Sequence, residues 1–341
     1  MGRNGDRGAQ RVGVVGATGA AGGTVLRILE ERRFPLAELR CLASSRSAGA
    51  TVRFGGRELV VAEVSDQTID GLDLVFFAAG SGTARRYAPV VAGNGGVAID
   101  KSSAYRMDPD VPLVVPEVNA AELDGHRGIV ANPNCVAIPL TVALAPLHRA
   151  FGLQRLTVAT YQAASGGGRA LTAELREQEQ ADAAGVAASH TVYPHVLHGN
   201  VVPGGWTMHG DDTDEELKVI AETRRVLGLA ELPVSVTTVR VPVATGHSAA
   251  VWAEFTEPVR PDAARELLAA AAGVRVVDDP ARQRYPTPRD AAGQDDVLVG
   301  RIRADIGRPG ALALFLSVDN LRKGAATNAV QVGELLAHCG A

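Results

Sequence analysis

The chain has 341 residues, a formal net charge of −4, and 46% hydrophobic and 21% charged residues. This balance is enough for large cores and excludes wholesale disorder, and the length suggests two domains. There is no basic stripe to attract nucleic acid and no apolar run of membrane-spanning length, and three cysteines provide no disulfide framework, which fits a reducing cytoplasm.

The first residues, "MGRNGDRGAQ", read as a polar tail rather than a signal peptide. "RVGVVGATGAAGGTVLRILEERR" then predicts a buried strand through Val12, Val14 and Val15, a glycine turn with Gly16, Gly19 and Gly22, and an amphipathic helix from about Thr24. Strand, glycine turn and helix in that order suit a dinucleotide, because the turn lets backbone N–H groups approach a phosphate at the helix start. "LRCLASS" reads as the second strand. An acidic residue would be expected after it for a ribose 2′-hydroxyl. The chain instead offers Ser44, Ser45, Arg46 and Ser47, which are donors suited to a 2′-phosphate and so to NADP, or else a plain polar loop. "GLDLVFFAAGSGTARRYAPVVAG" and "GGVAIDKSSAYR" continue the alternation of strand and helix, implying parallel βαβ units, and Arg106 follows a strand end, where ligands are contacted.

In "VANPNCVAIPL" an Asn-Pro-Asn turn delivers Cys135 to the predicted start of a helix. A helix start favours a thiolate, whereas the alternative reading is a small buried residue. Beyond it, "LQRLTVATYQAASGGG" and "PVSVTTVRVPVATGHSAAVWAEF" predict long strands of a mixed or antiparallel sheet, with helices near 169–184, 213–228 and 261–272. Gln162 precedes a glycine turn that can approach a ligand. His247 follows Gly246 at a break between strands, where it can move protons or activate a thiol, or serve as a surface turn residue. Arg240 lies in the preceding strand and suits bidentate capture of a carboxylate, or an ordinary salt bridge. "DTDEELKVIAET" starts a helix capped by Asp212 or Thr213, and Glu215 and Lys218 share one of its faces, the usual spacing of a solvated ion pair. His190, His195, His198 and His209 follow no metal-ligand spacing, so no metal is expected. The last segment ends in a helix that could pack back on the first domain.

"GATGAAG", "SSRSAG", "DPDVPLVVPEVN", "NPNC", "YQAASG", "RVPVATGH" and "DNLRKGAATNAVQ" occur in the order found in aspartate-β-semialdehyde dehydrogenases, and over nearly its whole length the chain resembles that family. The resemblance implies a Rossmann-type dinucleotide-binding domain at 11–131, completed by a C-terminal helix at 321–341. It implies an α+β catalytic and dimerisation domain with a mixed sheet at 132–320. It makes Cys135 the nucleophile beside Asn134, with Gln162 at the acyl group and His247 as acid–base. Arg240 would grip the substrate carboxylate, Arg106 and Lys218 the phosphate, and an acidic residue of the Glu215–Glu216 pair the substrate amine. Gly16, Thr18, Gly19, Ala20, Gly22, Ser44, Ser45, Arg46 and Ser47 would bind NADP(H), with Gly166 and Asn320 near it.

The implied reaction is NADPH-dependent reductive dephosphorylation of L-aspartyl-4-phosphate through a Cys135 thioester, with backbone N–H groups at Asn134–Cys135 holding the oxyanion. It belongs to lysine, threonine and methionine biosynthesis in the cytoplasm. The implied partners are an acyl phosphate or aldehyde and inorganic phosphate, with no nucleic acid and no membrane, in a homodimer or dimer of dimers. Two departures stand out. Lys101 replaces the family's usual asparagine and adds a cation beside the expected phosphate site, and "VAIP" from Val136 replaces a Ser-Thr-Ile-Gln run. They leave open a specialised paralogue, or an enzyme like N-acetyl-γ-glutamyl-phosphate reductase on a related acyl phosphate. A non-catalytic scaffold is the remaining alternative. The His-containing stretch from Ser189 to His209 is also unusual, and the sequence offers no physical account of it.

Overall fold

The computed structural model describes residues 8–339, with no side-chain description at 338 and 339. The expected tail falls mostly on residues 1–7, outside the described residues, as does the side chain of Cys339. The chain forms two compact units, 1–133 with 325–341, and 134–324.

The first unit runs β1 (Gln10–Val15), α1 (Ala20–Glu31), β2 (Leu36–Ala43), β3 (Thr51–Phe54), β4 (Arg57–Val60), β5 (Ala62–Glu63), α2 (Asp66–Ile69), β6 (Leu74–Phe77), α3 (Ser81–Gly93), β7 (Val97–Asp100), α4 (Pro116–Asn119) and β8 (Ile129–Ala131). Its main sheet has the order β5-β2-β1-β6-β7-β8, parallel throughout. All four residues of β6 are buried, as expected of a strand covered on both faces. Alternation sends Leu74 and Phe76 into one core, with Val12, Val14, Ile28 and Leu29, and Val75 and Phe77 into the other, with Val15, Ala84 and Val91. The chain works outward from β1 to β5 and then returns to β6, so the turn after β1 lies at the reversal of strand order. That reversal is where α/β sheets bind ligands. The helix expected from Thr24 begins earlier, at Ala20, because Gly22 and Gly23 are held within it despite their low helix propensity.

The second unit contains α5 (Ala137–Phe151), β9 (Leu153–Tyr161), α6 (Gly168–Ala183), β10 (Met208–His209), β11 (Asp212–Thr213), α7 (Asp214–Leu227), β12 (Val234–Thr237), β13 (His247–Phe255), α8 (Pro261–Ala269), β14 (Val274–Val276), α9 (Pro288–Ala291), β15 (Val297–Ala304) and β16 (Leu312–Val318). Its sheet, β12-β9-β13-β16-β15-β14, is mixed: β12 and β14 pair in parallel, and the inner strands pair antiparallel. Helix α5 is apolar nearly all round and buries ten residues, which makes it a core helix rather than a surface one. α10 (Thr327–Cys339) returns the chain to the first unit, placing Ala329, Val330 and Val332 in the core beside β1 and α1.

One expected strand is absent. The run through Val239–Ala244 leaves the sheet after β12, and Arg240 makes only isolated bridges, to Gln162 and Val202. Pro242 and Gly246, the latter at φ 97°, interrupt the ladder there.

Candidate active site

The first unit carries a cradle of backbone. Gly16 has φ 87°, and a Cβ on it would lie 2.7 Å from the Ala78 carbonyl oxygen. A Cβ on Gly22 would overlap the Gly16 carbonyl. The turn is therefore closed to side chains, with Thr18 and Gly19 half-buried within it. Helix α1 starts at Ala20 without a side-chain cap, so its first-turn N–H groups are not taken by a capping side chain. Ser45–Ser47 form a 3-10 turn just beyond the C-terminal end of β2, with Ser44, Ser45 and Arg46 exposed. Arg106 is buried in the same unit and donates from Nε to the Asn132 carbonyl (3.0 Å) and from Nη2 to the Lys101 carbonyl (2.7 Å).

In the second unit, Cys135 is half-buried in the turn that ends at Val136, the residue preceding α5. Asn134 shapes that turn. Its Oδ1 accepts the Val136 N–H at 2.7 Å, and its backbone N–H donates to Glu222 Oε2 at 2.5 Å. Two N–H groups are thus engaged by protein oxygens. This corrects the expectation that the Asn134 N–H helps to hold an oxyanion. Asn134 Nδ2 donates to Glu215 Oε1 at 3.0 Å, and Gln162 Nε2 donates to the same oxygen at 2.9 Å. Buried Glu215 therefore joins the cysteine turn to the end of β9.

One residue, Ala163, then connects the end of β9 to the remaining groups. The Ala163 N–H donates to His247 Nδ1 (3.0 Å), and the Ala163 carbonyl accepts from Arg240 Nη1 (2.8 Å). Nδ1 is an acceptor here, so the neutral ring carries its proton on Nε2. His247 is buried, and burial first, then the neighbouring Arg240 charge, hold it well below its ordinary value of 6.5. Its Nε2 and the Arg240 Nε are buried without a hydrogen-bond partner among the described residues. Gly166 lies against both groups: a Cβ there would be 2.9 Å from Arg240 Nη1 and 3.0 Å from His247 Nε2. Asn320 Oδ1 accepts from Ser165 Oγ (2.9 Å) and the Gly246 N–H (3.0 Å), fixing the two loops that flank His247.

Asn134, Gln162, Gly166, Glu215, Arg240, His247 and Asn320 thus belong to one connected group, and Cys135 follows Asn134 in the chain. Lys218 stands beside it, bonded to Asp214 (2.5 Å) and 3.9 Å from Glu215 Oε2, so its main partner is Asp214. Thr213 is the cap of α7, and Glu216 completes its capping box. Sequence reasoning missed Glu222. The signal was present: Glu215, Val219, Glu222 and Val226 recur at helical spacing and are all buried, so a carboxylate stood on an apolar stripe. Among the described residues, no group of three or more His, Cys, Asp or Glu could hold a metal.

Residues 11–126 match the family model described as semialdehyde dehydrogenase, NAD binding domain, and residues 144–323 match semialdehyde dehydrogenase, dimerisation domain. Aspartate-semialdehyde dehydrogenase of Prochlorococcus marinus is 44% identical, over 95% of this chain and 94% of its own length. That of Streptomyces akiyoshiensis is 48% identical, over 96% and 98%. The crystal structure of aspartate semialdehyde dehydrogenase II from Vibrio cholerae, complexed with ASA, superposes with a TM-score of 0.93 at 40% identity, covering 97% of this chain and 99% of that one.

Proposed function

The chain belongs to the aspartate-semialdehyde dehydrogenase family, and on that premise we propose that it reduces L-aspartyl-4-phosphate to L-aspartate-4-semialdehyde, and catalyses the reverse reaction, through a Cys135 thioester. The observation that carries the reading is the linkage of four groups through one carboxylate oxygen and one residue: Asn134 and Gln162 on Glu215 Oε1, and His247 and Arg240 on Ala163, with Cys135 next to Asn134 in the chain.

The first unit acts as the NADP-binding domain and the second as the catalytic and dimerisation domain. The Gly16–Gly22 turn and the open start of α1 fit a pyrophosphate, and the Ser44–Ser47 loop fits a 2′-phosphate. When bound there, NADPH supplies the hydride.

The Cys135 thiolate attacks the acyl carbon, a C–S bond forms, and the C–O bond to phosphate breaks. The phosphate leaves and takes a proton from solvent. Lys218 and Arg106, with Lys101, are assigned to it. The resulting thioester carbonyl is a far better hydride acceptor than a carboxylate, which is what the covalent step provides. Reduction yields an alkoxide on the former carbonyl oxygen. His247 Nε2–H donates to that oxygen, and collapse breaks the C–S bond to release aldehyde and thiolate. The Nε2–H tautomer held by Ala163 supports this donor role, and His247 is kept as the acid–base group expected from sequence. Arg240 binds the α-carboxylate and Glu215 the amine.

We assign dimer formation to the exposed face of the second sheet. Trp252 stands there between Thr157 and Ala313, and Ala250 between Ala159 and Phe315. Cytoplasmic amino-acid biosynthesis, leading to lysine, threonine and methionine, is the setting for this chemistry. The test is the reverse assay with aspartate semialdehyde, inorganic phosphate and NADP⁺. NADPH formation that depends on all three is expected. Phosphate-independent turnover, or preference for an N-acylated aldehyde, would reject the assignment.

A further inference from the structure

The stretch from Ser189 to Trp206 has a structure-based account that its sequence lacks. It is strapped to α6 by two buried side chains. Glu174 accepts from the N–H groups of Thr191 (2.5 Å), Val192 (2.7 Å) and Tyr193 (3.1 Å). Gln178 Oε1 accepts from Leu197 (2.9 Å) and His198 (3.0 Å), and its Nε2 donates to the Ser189 carbonyl (2.9 Å). The strap then pairs with the active-site segment: Val202 and Arg240 exchange two backbone hydrogen bonds, of 2.9 and 2.8 Å. Finally it closes on itself. The Tyr193 hydroxyl donates to the Gly204 carbonyl, and at Gly205, with φ 84°, a Cβ would lie 2.6 Å from Tyr193 Cε2.

The closure places two aromatic rings at one cation. Arg240 Cζ lies over the Trp206 ring at 4.7 Å and over the Tyr193 ring at 5.8 Å. Both distances are within cation–π range, and the strap is buried at Tyr193 and half-buried at Trp206. Rings over a guanidinium leave its edge as the route for hydrogen bonds. Nη1 spends one donor on Ala163, and the buried Nε has no hydrogen-bond partner among the described residues. A planar fork held in this way is prepared for a carboxylate before one arrives.

We propose that Trp206 and Tyr193 are positioning residues that orient Arg240, so that the strap sets recognition of the substrate α-carboxylate. The proposal rests on the function assigned above and deepens it. Trp206→Leu should raise KM for aspartate semialdehyde about tenfold with kcat within about twofold, and Trp206→Phe should restore most of the loss. Turnover of 3-aminopropanal, which lacks the carboxylate, should not change. Gly205→Ala, which disturbs the closure without touching either ring's chemistry, should repeat the KM effect. An unchanged KM in Trp206→Leu, or equal losses on both aldehydes, would overturn the proposal. A binding measurement separates it from the assigned reaction. By calorimetry, L-aspartate should bind the wild-type chain saturably, about tenfold more weakly in Trp206→Leu and near wild-type strength in Trp206→Phe. If neither aldehyde is turned over, that titration still decides: weaker binding in Trp206→Leu with recovery in Trp206→Phe supports the clamp, and equal affinity in the three chains, or no binding by the wild type, rejects it.

Discussion

The two units build their candidate sites in opposite ways. In the first, the candidate surface is backbone: a turn of glycines and the open start of one helix, with side chains excluded by contact. In the second it is side chain: an asparagine, a glutamine, a glutamate, an arginine and a histidine from separated segments, joined through hydrogen bonds to Glu215 and Ala163 beside the Cys135 turn. A backbone cradle tolerates many sequences but no added atoms. A side-chain cluster tolerates repacking around it but no change of functional group.

That contrast can be tested by substitution, beginning with the largest expected effect. Cys135→Ala should lower kcat by about 10⁴-fold or more while leaving the thermal melt nearly unchanged, as removal of a covalent nucleophile does. Near-normal turnover would end the thioester mechanism. Thiol labelling of the folded wild type should also separate the cysteines, since burial pushes the Cys41 thiol up to about 11 and keeps it inert. Arg240→Leu should reduce kcat/KM by about two to three orders of magnitude, because the proposed partner of the substrate carboxylate is lost and the Ala163 carbonyl loses its donor. Steady-state kinetics measure this.

In the cradle the effect should be on stability. Gly22→Ala should cost about 2–3 kcal/mol in urea unfolding, since its Cβ meets the Gly16 carbonyl. Gly93→Ala is the control, in a helix with open space around it, and should be neutral or stabilising by about 0.5 kcal/mol. Equal costs for the two would remove the steric argument.

The smallest effect is in pH dependence. His247 is held well below 6.5 when folded and titrates near 6.5 when unfolded. Below that pH the unfolded chain binds a proton that the folded one refuses, so stability is fully present above pH 6.5 and declines as pH falls below it. His247→Gln should flatten this slope in urea midpoints measured between pH 5 and pH 8. Retention of the full slope would assign the effect to other groups.

Local pattern made much of the first unit legible. Four buried residues in β6, glycines after β1 and serines after β2 follow from periodicity and turn chemistry, which are short-range properties. Individual groups of the second unit were also visible, chiefly because family motifs pointed to Cys135, Gln162, Arg240 and His247. Their connections were not. Glu222 holds the Asn134 N–H across 88 residues, and the strap at Tyr193 and Trp206 reaches Arg240 only after α6 has gathered it. The strand expected around Arg240 was misread because its residues alternate like a strand, while Pro242 and Gly246 release them to the site.

The linear chain determined which groups are available: the thiol after a turn, the glycines after a strand, the alternating and helical faces that sort the cores. Tertiary structure decided which atoms are already occupied. It placed a protein N–H on His247 Nδ1, a carboxylate on the Asn134 N–H, and two rings over the Arg240 guanidinium. The physical reason is range. Periodicity and turn preference act within a few residues, whereas the state of a buried polar group depends on partners brought to it from distant parts of the chain.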